Sequence, residues 1–382
     1  MLSRRPSDTR LRQYLIHVAS FDSSSAQGVY AVPGEENQLM RRPLRIVSAA
    51  LVVVFANVLL SGQDAGQIVK LDAALDAIVP ANARVEKVAD GFGFLEGPVW
   101  VHSTSPGYLL FSDIPANVID KWSPGIKASV FLDKSGFTGA NPVNVGYKTN
   151  NGRAEVTLIG SNGITFDKEG RITFCQHGDR AVVRLEKDGK RTIIADKYEG
   201  KRLNSPNDLV YKSDGSLYFT DPPFGLPKLD QDSQKELPFN GLYRWSNGKL
   251  QLLSRDLKAP NGIAFSPNEK YLYVNDSFSK TYWRFELRPD GSVANGKIFF
   301  DMSTSKDEGV PDGMKLDQKG NIYGVGPGGV WILSPQGKHL GTIKAAEEPA
   351  NLAWGDADGK TLYLTARTGL YRVKLNTAGI RP

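Results

Sequence analysis

The chain has 382 residues, with Lys+Arg 47 against Asp+Glu 41 and a formal net charge of +6. Half of that excess, seven Arg against four acids, falls in residues 1–62, and no Lys/Arg stripe with interleaved aromatics follows, so no nucleic-acid partner is expected. The single cysteine, Cys175, excludes an intrachain disulfide and a Cys-based metal site, and its apolar neighbours predict a small buried core residue.

The N-terminal part reads as a targeting segment. Met40-Arg41-Arg42-Pro43-Leu44-Arg45 is basic, an apolar run follows from Ile46 to Leu60, and Ser61-Gly62-Gln63 comes next. That is the layout of a secretory leader. The run is 15 residues long and includes Asn57, which is short for a membrane span. The expectation is a start at Met40, with residues 1–39 an upstream extension foreign to the native protein. Residues 40–62 are then a signal peptide, with an uncleaved signal-anchor as the alternative. The protein would be exported, periplasmic or extracellular, and would touch a membrane only through an uncleaved leader. No cysteine stands directly after the apolar run, so a lipoprotein anchor is excluded.

Residues 63–82 hold one helical signal. Ile68, Leu71, Leu75 and Ile78 recur at spacings that fit one helix face, and Pro80 ends the run. The expectation is a short N-terminal helix strapped over the first sheet of the body.

From Val85 the pattern changes to short strands separated by Gly, Pro, Asn and Asp. Six strand-like stretches open on a polar residue: Glu96, Asn162, Asn207, Asn261, Asp312 and Asn351. The intervals between them are 66, 45, 54, 51 and 39 residues. Eight residues after Asn162, Asn207, Asp312 and Asn351 comes a turn glycine (Gly170, Gly215, Gly320, Gly359), and an apolar strand follows each. After Asn261 the same offset falls on Glu269, inside another turn. Such a strand–turn–strand unit repeated at this period predicts an all-β, six-bladed propeller over residues 83–382. Two stretches, Gly136 to Gly152 and Pro222 to Pro238, read as loop insertions that shape the mouth.

In a propeller the first strand of each blade lines the central tunnel, so residues just before it converge although distant in sequence. Glu96, Asn207, Asn261 and Asp312 would then present two carboxylates and two amide oxygens at one point. An oxygen-only set suits Ca²⁺, Mg²⁺ or Mn²⁺. Its two negative charges balance a divalent cation and leave coordination positions open for catalysis. Taken singly, Asn-Gly and Asp-Gly are turn dipeptides; the argument rests on four in register. Asn162 and Asn351 are open between second contacts, substrate contacts and turn residues. Gly324-Val325-Gly326-Pro327-Gly328-Gly329 matches a dinucleotide fingerprint, but a strand follows it rather than a helix, so it is rejected. The four histidines, at 17, 102, 177 and 339, are too scattered for a His-rich zinc site.

Several stretches carry a resemblance to the senescence-marker-protein/gluconolactonase (regucalcin-like) family, in the form seen in its bacterial branch. They are Phe94 to Trp100, Ser161 to Asp167, Arg202 to Val210, Tyr218 to Gly225, Ala259 to Ser266 and Val310 to Met314. The resemblance spans about residues 83 to 375. It implies a six-bladed propeller with one catalytic divalent cation, Ca²⁺ foremost and Zn²⁺, Mg²⁺ or Mn²⁺ otherwise. By motif its ligands are Glu96, Asn207, Asn261 and Asp312. It implies hydrolysis of a small-molecule sugar lactone, with Asp312 as general acid/base; a metal-bound hydroxide is the alternative. Asn162, His177, Arg202 and Asp221 are then expected to contact substrate. The animal enzymes carry a substrate-binding Arg two residues before the Asn equivalent to Asn207; here that position is Ser205, with Arg202 nearby but offset. An organophosphate or other ester hydrolase on the same site, and a non-catalytic metal-stabilised binding propeller, are the competing readings.

Overall fold

A computed structural model describes residues 65–102 and 104–381. The expected extension and leader, residues 1–62, lie outside the described residues. Six antiparallel sheets succeed one another along the body, five of them four-stranded and the fifth in order five-stranded. Their first strands are Leu95–Val101, Ser161–Phe166, Leu209–Tyr211, Pro260–Phe265, Met314–Leu316 and Pro349–Gly355. Each of these touches the first strand of the next sheet, and the sixth touches the first, so the sheets form a closed ring. This is the expected six-bladed propeller, and we number the blades 1 to 6 in that order.

The driving force is burial between blades. Six apolar clusters fill the six interfaces, one apiece: Phe111 and Trp100 with Tyr363 between blades 6 and 1, for example, and Phe174 and Val183 with Leu110 between blades 1 and 2. Alternation along each strand sends one set of side chains to each neighbour. The second strand of each blade is buried on both faces and carries large residues such as Tyr218, Phe219, Tyr323 and Tyr363. Each such side chain contributes roughly 1.5–3 kcal/mol. Cys175 is fully buried among them, as its neighbours predict.

The ring is clasped by the N-terminal side of the body. Glu86–Asp90 supplies the outer strand of blade 6, pairing with Gly369–Lys374, and the Glu86 carboxylate meets Arg372 Nε at 2.7 Å. An incomplete blade would expose an edge that invites association; here a strand from the opposite end of the chain covers it.

The expected helix over Ile68 to Val79 is not found. Gly66–Lys70 is a strand on the outer edge of blade 5, paired with His339–Ala345, and only Ala73–Ala77 forms a short 3₁₀ turn, capped by Asp72. Leu75 and Ile78 are buried as the spacing predicted, but Leu71 is 57% exposed. An apolar repeat this short fits a strand and a turn as well as a helix, and the free edge of blade 5 decides the outcome. The strap therefore lies on blade 5, not on the first blade. The Gly-rich stretch Gly324 to Gly329 is a hairpin between Ile322–Gly326 and Gly329–Leu333, which agrees with its rejection as a phosphate loop.

Candidate active site

All six strand openers meet at one end of the axis. A cavity of about 230 Å³ there is lined by Glu96, Asn162, Asn207 and Asp312, together with His177 from the end of the second strand of blade 2. Asn261 lies against the Asp312 carboxyl, and Asn351 Nδ2 donates to Glu96 Oε2 at 2.9 Å. Every one of these side chains except Asp312 is at most 3% exposed.

The openers are held by hydrogen bonds that pass from each blade to the next. Ser112 Oγ of blade 1 donates to the Asn162 carbonyl (2.8 Å), and Gly163 N of blade 2 to that of Asn207 (2.8 Å). Thr220 Oγ1 of blade 3 donates to the Asn261 carbonyl (2.8 Å), and Asn275 Nδ2 of blade 4 to that of Asp312. Gly313 N of blade 5 donates to the Ala350 carbonyl (2.8 Å), and Asn351 of blade 6 closes the circle on Glu96. The backbone oxygens of Asn162, Asn207, Asn261 and Asp312 are thus consumed by the ring, while the opener side chains are left for the axis. Gly97 sits at φ +51, and a Cβ there would strike the Asn162 carbonyl at 1.9 Å, so the turn beside Glu96 needs glycine.

What remains in the cup is an excess of buried oxygen. Asn207 Oδ1, Asn261 Oδ1 and Asp312 Oδ1 are all buried without a hydrogen-bond partner. Leaving such an atom unsatisfied costs about 1–3 kcal/mol, so three converging from three blades point to a missing positive partner. Among the described residues no group of three or more His, Cys, Asp or Glu is placed to hold a metal ion by itself. The donor set here is two carboxylates and two amides, which fits a hard divalent cation. The charges respond to the same crowding. Burial pushes Glu96 up to about 7, and the nearby Asp208 adds to it. Burial and then the Glu96 charge raise Asp312 well above the usual carboxylate range.

His177 Nε2 lies 3.2 Å from Asn162 Nδ2, and burial lowers the imidazole to about 3, so it is neutral. Its Nδ1 and Asn162 Oδ1 are also buried without partners. The two loop insertions reach the mouth as expected. Tyr147, Thr149 and Asn150 come from the first and Phe224 from the second.

Two of the expected substrate contacts are not brought to this cavity. Arg202 lies on a small hairpin outside it, where its Nη2 donates to the Asp179 carbonyl at 2.9 Å and its backbone N–H to Glu236. The adjacent motif placed it near Asn207, but the intervening loop turns it outward. Asp221 is fully buried behind the loop before Asn207 and accepts from the N–H groups of Asn204 and Ser205, both at 2.8 Å. It braces the loop and does not face the cup. Ser205 is likewise committed, donating to the Pro222 carbonyl at 2.6 Å and accepting from Gly225 N at 2.7 Å.

One lining cation was missed in the sequence. Arg367, at φ +44 in the turn after Thr361–Ala366, sits on the rim, with Nη2 paired to Glu348 and Nη1 donating to the Asn150 carbonyl at 2.5 Å. It is the one Lys or Arg lining the cavity among the described residues. A lone arginine in a turn gives no periodic signal.

Fold and site together define a six-bladed propeller with an acid- and amide-lined cup at its axis. The chain belongs to the SMP-30/gluconolactonase/LRE-like family, whose region matches residues 94–368. It is 37% identical over 333 residues to a gluconolactonase of Zymomonas mobilis, covering 84% of this chain and 89% of that one. A solved gluconolactonase from Xanthomonas campestris superposes with a TM-score of 0.67 at 31% identity, over 81% of this chain and 98% of that one. A calcium-binding regucalcin from Agrobacterium tumefaciens shares the fold, with a TM-score of 0.59 at 16% identity over 77% of this chain and 95% of the other.

Proposed function

We propose that this chain is a divalent-metal-dependent lactonase that opens a small sugar lactone, with Glu96, Asn207, Asn261 and Asp312 holding the cation. The observation that carries the reading is the convergence of three partnerless buried oxygens beside the Glu96–Asp312 pair. The relatedness to gluconolactonases supports the choice of substrate class. When bound, a cation of this kind supplies positive charge that polarises an ester carbonyl and stabilises the oxyanion that develops.

The chain's own residues account for the remaining steps. The apolar wall of Phe94, Ile114, Leu158 and Phe224 excludes bulk water and orients the flat lactone ring. Asn162 and neutral His177 present free hydrogen-bonding atoms to sugar hydroxyls. Asp312, which would be ionised where a cation's charge offsets its burial, takes one proton from the water that attacks the carbonyl carbon. The ring C–O bond breaks, and Asp312 returns that proton to the departing ring oxygen, so lactone and water yield one hydroxy acid.

The test is hydrolysis of glucono-δ-lactone with and without a chelator. Asp312→Ala is expected to lower kcat by at least about a hundredfold, and EDTA is expected to abolish turnover reversibly. Full activity in stripped protein refutes the metal requirement, and no turnover of any lactone by the loaded protein refutes the substrate class.

A further inference from the structure

Three aspartates outside the cup share one position in the fold. Asp113, Asp221 and Asp276 are each the last residue of their blade's second strand. Each accepts, one on each oxygen, the N–H groups of two residues that precede its blade's first strand, and Asp276 Oδ1 also accepts from Phe278 N (3.1 Å) and Ser279 N (3.2 Å). Asp113 takes those of Gly93 (2.9 Å) and Phe94 (3.1 Å), Asp221 those of Asn204 and Ser205 (both 2.8 Å), and Asp276 those of Lys258 (2.7 Å) and Ala259 (3.0 Å). In all three the bonded pair stands three and two residues before the opener: Glu96, Asn207 and Asn261. The device occurs only in blades 1, 3 and 4, which carry three of the four proposed ligands. In blades 2, 5 and 6 the second strands end on Gln176, Gly326 and Ala366.

The fourth ligand is reached from the same strand end. Asn275 Nδ2 bonds the Asp312 carbonyl and Asn275 Oδ1 accepts from Gly262 N at 3.1 Å. Ser277 Oγ lies 2.7 Å from the Pro311 carbonyl and 3.1 Å from Asn261 Nδ2. A carbonyl can only accept, so the serine hydrogen is committed to Pro311. The oxygen of Ser277 then has only lone pairs to offer, and Asn261 must turn its NH₂ toward it. That order leaves Asn261 Oδ1 aimed into the cup, where it has no other partner.

We infer that Asp113, Asp221, Asp276 and Ser277 are positioning residues that pre-aim the cation ligands, with Ser277 setting the amide orientation of Asn261. The inference rests on the proposed cation site and says which residues outside it set its affinity. Outer partners of metal ligands are typically worth 10–100-fold in affinity.

The experiment measures Ca²⁺ and Tb³⁺ affinity by titration calorimetry on full-length chelator-stripped protein, beside the apo melting temperature. Ser277→Ala is expected to weaken cation binding about tenfold and leave the apo melting temperature within about 2 °C, with Ser277→Thr restoring the affinity. Asp221→Asn and Asp276→Asn, which keep one neutral carbonyl acceptor and set an NH₂ donor against the other backbone N–H, are expected to weaken it about 10-fold or more. A purely structural role lowers the apo melting temperature and leaves the affinity of the folded protein at the wild-type value; that result overturns the inference. Wild-type protein that binds neither ion overturns the cation site itself, whereas binding by wild type that the variants retain in full overturns only the positioning role.

Discussion

Replacing Glu96 with Gln should strengthen the empty protein and destroy its cation site at the same time. Each tenfold change in proton affinity is worth about 1.4 kcal/mol. Glu96 is buried and its carboxyl is moved from its ordinary 4.5 to about 7, so ionising it in the empty fold costs about 3 kcal/mol. The folded state holds the proton more tightly than the unfolded one. Stability without cation therefore falls as pH rises from about 4.5 to about 7 and is level above. A glutamine amide oxygen can still accept from Gly97 N and Asn351 Nδ2, the two donors that now reach Glu96 Oε2. At about 2 °C per kcal/mol for a chain of this size, Glu96→Gln in chelator should melt about 6 °C above wild type at pH 8 and level with it at pH 4.5. In saturating Ca²⁺ the order should reverse, because only wild type gains binding energy. Differential scanning calorimetry at the two pH values, with and without Ca²⁺, makes the comparison. A variant that melts below wild type in chelator at pH 8, or by the same margin at both pH values, refutes the reasoning.

Other outcomes follow from the same geometry. His177 is held neutral by burial at about 3, so His177→Gln should lower kcat/KM about tenfold without changing the shape of the pH–rate profile between pH 5 and 9. A lost inflection near pH 6 to 7 contradicts this. Arg202→Ala should leave kcat/KM within about twofold, because its guanidinium bonds the Asp179 carbonyl away from the cup. Arg367→Ala should raise KM several-fold with kcat little changed, since the guanidinium lines the rim rather than the reacting end. Steady-state kinetics on one lactone separates the two arginines.

The ring itself was legible because the openers repeat. Each of the six polar residues lies at or within two positions of a first strand, and the turn eight residues later marks the hairpin that follows. The same repetition disclosed the cup, since equivalent positions in a closed ring must converge. The brace aspartates were not legible. They stand 14 to 17 residues after their openers, as 113−96, 221−207 and 276−261 show, and each reads locally as a strand-end or turn acid. The motif around Asp221 points to substrate, because sequence cannot tell a carboxylate facing a cavity from one facing backbone N–H groups. Arg202 failed for a related reason, as chain proximity to Asn207 says nothing about which way a hairpin turns. The strap was misread because Ile68 to Val79 is too short for periodicity to separate helix from edge strand.

The central claim is that four side-chain oxygens from four blades share one ion. Anomalous diffraction from crystals soaked in Mn²⁺ tests it most directly. One strong peak is predicted on the axis, bounded by Glu96, Asn207, Asn261 and Asp312. A peak elsewhere, or none in crystals whose dissolved protein still opens lactone in Mn²⁺, contradicts it.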